Sequence, residues 1–135
     1  MDNKYAYDEW AEYAFNDYDT ANLMYNEHWT NKELIICYHC QQSAEKYLKA
    51  YIVYHDINIE KTHDLIGLLN TCISIDKTFN TLVEACDYLT PFAIQVRYPF
   101  NSFSIGDYEQ KKAIKNAKEI MEFVIKKVGE KDISD

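Results

Sequence analysis

The chain has 135 residues, 47% of them apolar, with three Gly, two Pro and twelve Tyr. That is enough for one domain to bury about 68% of its unfolded surface without metal or disulfide staples, and it is too apolar for disorder. The formal net charge of −8 repels polyphosphate at long range and excludes non-specific binding of duplex DNA.

The charge is unevenly spread. Residues 1–33 carry eight acids against two Lys, whereas residues 107–135 carry seven of each. The paucity of Gly and Pro argues for long helices and short loops. The four Cys (37, 40, 72 and 86) match no disulfide framework of small secreted domains. The N-terminal MDNKYAYDEW is acidic and lacks an apolar stretch, and no apolar run is long enough to cross a membrane. These features predict a cytoplasmic chain with reduced thiols, no signal peptide and no membrane contact.

In chain order, the first predicted helix covers Tyr7 to His28. Its inner face carries Trp10, Ala14, Tyr18, Ala21 and Tyr25; Asp8, Glu9, Glu12, Asp17 and Asp19 mostly face outward. Acids crowd its first turns, where the helix dipole favours them. Thr30-Asn31-Lys32-Glu33 has the form of a capping box and opens a second helix, which runs to Tyr54.

That second helix carries Cys40, Ala44, Tyr47, Tyr51 and Tyr54 as a buried stripe. Tyr38, Gln42, Glu45 and Lys49 follow the same spacing as a polar face, with Gln41 and Lys46 beside it. Such a face fits either a solvated surface or one wall of a site shared with other helices. Cys37-Tyr38-His39-Cys40 has redox-like spacing, but it lies inside a helix with no strand before it and lacks a second ligand pair for zinc. Packing explains it, and no metal or cofactor is expected.

After a loop from His55 to Lys61, Thr62 is the expected N-cap of a third helix, with Asp64 in its first turn. Leu65, Leu68, Leu69 and Cys72 form its apolar face. Asp76 or Thr78 caps a fourth helix with core positions Phe79, Leu82, Val83, Cys86 and Leu89. Pro91 kinks or restarts it with Thr90 as a new cap, and Phe92 to Arg97 is helical again. Pro99 to Gly106 is the longest irregular stretch.

Asp107-Tyr108-Glu109-Gln110 forms a second capping box and opens the last helix, whose buried face is Ala113, Ala117, Ile120, Val124 and Val128. Gly129 is its expected stop and residues 129–135 a frayed tail. The Lys series at 111, 112, 115 and 118 is interleaved with acids and reads as a solvated face. The predicted architecture is all-α, an up-and-down bundle of four to five antiparallel helices with its core over residues 8–128.

Two short motifs carry chemistry. In Thr62-His63-Asp64-Leu65, helix-start chemistry accounts for Thr62 and Asp64 but leaves His63 unexplained. Adjacent residues on a helix point about 100 degrees apart, so His63 and Asp64 do not readily bond each other. In Arg97-Tyr98-Pro99, a guanidinium beside an aromatic ring suits phosphate or carboxylate; pairing with Glu45 or Asp64 is the structural alternative.

The string Cys40-Gln41-Gln42-Ser43-Ala44-Glu45-Lys46-Tyr47-Leu48-Lys49-Ala50, followed by Thr62-His63-Asp64-Leu65 and Arg97-Tyr98-Pro99, resembles the HEPN domain family. The resemblance spans residues 8 to 128. It implies a helical bundle, usually a homodimer, that often works beside a minimal nucleotidyltransferase in toxin–antitoxin or defence modules of prokaryotes. Some members are metal-independent RNases, and some are thought to bind nucleotides. RNase members carry an Arg and, four to six residues later, a His near the start of the last helix. Arg97 matches that Arg, but no His follows it anywhere in the chain.

Arg97 alone is a poor proton-transfer group at neutral pH. The resemblance therefore implies a domain with little or no catalysis that binds a nucleotide or short RNA, or a nucleotidyltransferase. In it Arg97 holds phosphate, Tyr98 stacks, His63, Lys46 and Lys49 add charge or hydrogen bonds, and Gln42 and Glu45 orient the ligand. The alternatives are an RNase toxin with a rearranged Arg97/His63 site and a pure protein-interaction module.

Overall fold

The computed structural model describes residues 3–59, 61–62, 64–95 and 105–134, and among them every regular element is helical. The elements are α1 (Lys4–Tyr25), α2 (Lys32–Tyr54), α3 (Leu65–Ile75), a 3-10 turn (Lys77–Leu82), α4 (Val83–Leu89), the short α5 (Phe92–Gln95) and α6 (Asp107–Ser134). The expected all-α up-and-down bundle is what forms.

Hydrogen bonds at the helix ends set the directions. The Asn3 amide donates to the Tyr54 carbonyl at 2.8 Å, so the start of α1 lies at the end of α2. The Tyr25 hydroxyl donates to Asp107 at 2.5 Å, so the end of α1 lies at the start of α6. Both α2 and α6 therefore run antiparallel to α1. The third limb, α3 through α4, runs back again, and at its end the Tyr88 hydroxyl donates to the Glu109 carbonyl at 3.1 Å.

The central element is α2, which packs against all the other α-helices. Its predicted stripe, Cys40, Ala44, Tyr47, Tyr51 and Tyr54, is buried throughout. The α3 face (Leu65, Leu68, Leu69, Cys72) and the α6 face (Ala113, Ala117, Ile120, Val124, Val128) are buried as their periodicity requires. The Phe79 ring packs tilted at 4.4 Å from Tyr51 and edge-to-face at 4.8 Å from Phe123, joining the third limb to α2 and α6. All four Cys are buried thiols. Burial, with the nearby Glu109 and Glu33, pushes Cys37 up to about 12, and burial pushes Cys40 well above its ordinary value.

The ends of the helices depart from expectation. The first helix starts at Lys4 and stops at Tyr25. The Thr30–Glu33 capping box does not form: Asn31 is the N-cap of α2, left-handed at φ 55, with no side-chain cap bond. Instead the Lys32 ammonium donates to the carbonyls of Tyr25 and Glu27, holding the α1–α2 turn from the other side. Asp64, rather than Thr62, caps α3 by accepting from the Ile66 amide at 3.1 Å, and Thr62 accepts from the Asp64 amide one step earlier.

Asp76 caps the 3-10 turn through the Thr78 amide, as expected. Val83 is 40% exposed rather than in the core, because the 3-10 turn before α4 shifts the phase of the helical repeat. The Thr90 hydroxyl donates back to the Cys86 carbonyl at the end of α4. At α6 the box sits one residue earlier than expected, with Glu109 accepting from the Gly106 amide at 2.6 Å and Asp107 inside the helix. Gly129 does not stop α6, which runs on to Ser134.

Candidate site on the polar face of α2

Residues four apart on a helix lie one above another, so Gln41, Glu45 and Lys49 form one line along α2. Here that line is buried: Gln41 is 0%, Glu45 3% and Lys49 9% exposed. The Gln42 amide donates to Gln41 Oε1 at 2.7 Å, and the Gln41 amide donates to Glu45 Oε1 at 3.3 Å. The Lys49 ammonium donates to Glu45 Oε2 at 3.0 Å and lies 5.5 Å from the centre of the Trp10 ring on α1. Glu45 thus accepts on both oxygens. The carboxylate is held in one orientation, and the ammonium is held beside an aromatic face.

Lys46, one residue along, turns toward α1. It donates to Asp17 at 2.5 Å, and His39 Nδ1 lies 2.8 Å from the other Asp17 oxygen. Burial alone would raise the Asp17 carboxyl, but hydrogen bonds to His39 and Lys46 outweigh it and hold the group below the usual carboxylate range. The sequence pattern sets Asp17 among the mostly outward acids, yet its side chain is only 13% exposed. A signal for this exists, because Asp17 stands three residues after Ala14 and four before Ala21, on the same inner face. Just beyond, Ser43 donates to the Ala14 carbonyl at 2.8 Å and draws the two helices together.

Of the predicted site residues, Gln42, Glu45 and Lys49 come together and Lys46 joins the neighbouring α1 cluster. Arg97, Tyr98 and His63 lie outside the described residues. The short α5 packs on α2 and ends at Gln95, two positions before Arg97 in the sequence. Among the described residues no group of three or more His, Cys, Asp or Glu is placed to hold a metal ion, and no helix is long and apolar enough to cross a membrane.

The family profile described as HEPN domain matches residues 7–128. The chain belongs to the HEPN domain family. A solved structure described as TT1696 from Thermus thermophilus superposes on this HEPN domain with a TM-score of 0.74 at 22% identity, over 90% of this chain and 97% of that one. A search of curated proteins finds no match. The HEPN bundle is thus shared with a distant structural relative, and its polar α2 line lies inside the matched span.

Proposed function

We propose that this HEPN domain is a nucleotide-binding component that works beside a minimal nucleotidyltransferase in a prokaryotic toxin–antitoxin or defence-type module. In this reading it acts in the cytoplasm as a homodimer, with little or no catalysis of its own. Arg97, the chain's only arginine among fourteen Lys and Arg, holds phosphate and Tyr98 offers a stacking face. The Gln42–Gln41–Glu45–Lys49 line orients the ligand, and His63 contributes a hydrogen bond.

The supporting observation is the buried Glu45–Lys49 pair. Burying two charges costs several kcal/mol per ion, and well-packed apolar residues of similar volume often stabilise a core equally or better. An expensive acid–amide–ammonium line on the central helix therefore fits a binding role better than a stabilising one. It lies on the helix against which α5 packs, and Arg97 follows the last residue of α5 by two positions in the sequence.

The test is a thermal shift of wild type and Arg97→Ala against a nucleotide panel. A ligand at a hundred times its dissociation constant stabilises the native state by about 2.7 kcal/mol. A rise in Tm confined to the wild type is expected. No rise with any nucleotide would refute the nucleotide assignment and leave the interaction module. RNA cleavage by wild type that His63→Ala abolishes would replace it with the rearranged RNase.

A further inference from the structure

The outer surface of α6 carries a second polar feature, separate from the α2 line. Tyr108, Lys111, Lys112, Lys115 and Asn116 stand at relative positions 0, 3, 4, 7 and 8, so they share one face over two turns. They line a cavity of about 260 Å³. Lys112 and Asn116 also line an adjoining cavity of about 300 Å³, whose other walls are Glu84, Asp87 and Tyr88 of α4. The two cavities share the wall of Lys112 and Asn116, with cations gathered on the α6 side and carboxylates on the α4 side.

The cations there are only partly neutralised. Lys111 pairs with Asp107 at 3.1 Å. Lys112 sits 4.5 Å over the Tyr88 ring, which the hydrogen bond from the Tyr88 hydroxyl to the Glu109 carbonyl holds in place. Lys115 makes no ion pair among the described residues. Glu109, three residues before Lys112, accepts from the Gly106 amide instead, and Glu119, four residues after Lys115, lines a neighbouring groove with it without an ion pair among the described residues. Tyr108 is 69% exposed at the cationic end. On a chain with net charge −8, three ammonium groups gathered on one cavity are unlike the alternating pairs of an ordinary solvated face.

We propose that this α4–α6 site binds a small phosphate monoester that carries hydroxyl or amino donors. The phosphate accepts from Lys111, Lys112 and Lys115, with the Asn116 amide as a further donor. The donor-bearing end turns to the carboxylates of Glu84 and Asp87, which would repel a second phosphate and so select against polyphosphates. Tyr108 covers the phosphate end with its ring. The site stands independently of the α2 reading and uses none of its residues.

The probes are inorganic phosphate and ribose 5-phosphate, titrated into the whole chain and followed by amide chemical shifts. Saturable shifts are expected over residues 108–116 and 84–88, with ribose 5-phosphate binding several-fold tighter than phosphate. Lys115→Gln, an exposed change that leaves the core intact, removes one charge-assisted hydrogen bond and should weaken both probes about tenfold. Asp87→Asn should abolish the advantage of ribose 5-phosphate while leaving phosphate binding in place. Arg97→Ala should change neither titration, which separates this site from the α2 reading. No saturable shift, or affinities that Lys115→Gln leaves unchanged, would overturn the proposal. Equal binding of the two probes by wild type would overturn the role of Glu84 and Asp87.

Discussion

Replacing Glu45 with Ala strips the buried Lys49 ammonium of its carboxylate at 3.0 Å and leaves the Gln41 amide without the acceptor at 3.3 Å. Lys49 is 9% exposed, so water can do little to solvate the orphaned charge. Breaking a buried pair from one side typically costs about 3–5 kcal/mol. At about 2.1 cal/mol/K of unfolding entropy per residue, a chain of 135 residues should lose roughly 11 to 18 °C in Tm.

The companion double variant, Glu45→Leu with Lys49→Met, removes both charges and keeps the volume; it should recover to within about 1 kcal/mol of wild type or exceed it. Urea unfolding followed by circular dichroism measures all three proteins. A cost below about 1 kcal/mol for Glu45→Ala would show that the pair is solvated and would remove the argument for a costly buried line. If the double variant is as stable as wild type yet loses nucleotide binding, the pair is retained for binding rather than for stability.

Asp17 makes folding sensitive to acid. Its carboxyl is depressed in the folded state by His39 and Lys46 despite burial, so its stabilisation is present above the unfolded value near 4 and is lost as pH falls through the folded value. Asp17→Asn should flatten the stability profile below about pH 4, measured by urea midpoints at a series of pH values. Asp64→Ala removes the side-chain cap on the Ile66 amide and should cost about 1 kcal/mol by the same unfolding assay. Gly129→Ala should stabilise by about 0.5–1 kcal/mol, since Gly129 lies within α6 and an added Cβ meets nothing within 4 Å. A loss of stability there would mean that α6 ends near Gly129 after all.

Helical class, the number of limbs and the buried faces were legible in the chain because each rests on periodicity. Ala113, Ala117, Ile120, Val124 and Val128 repeat at three and four residues, and burial of such a face needs no knowledge of what covers it. The family was legible for a related reason: the α2 string and the two later motifs are local words in a fixed order. The helix ends were less legible. Thr30–Glu33 has the composition of a capping box, yet Lys32 reaches the carbonyls of Tyr25 and Glu27 and the turn closes through Asn31 at positive φ.

Tertiary structure alone decided which polar residues meet. The pattern placed Gln42, Glu45 and Lys49 on one face, but it could not state that packing around α2 would bury Glu45 and Lys49 with Trp10 of α1 beside the ammonium. Nor could it say that Lys46 would turn to an aspartate 29 positions away. Hydrophobic periodicity is a property of one helix, read along its own axis. The partner of a buried charge is set by how neighbouring helices approach, and that is fixed by packing across the whole bundle.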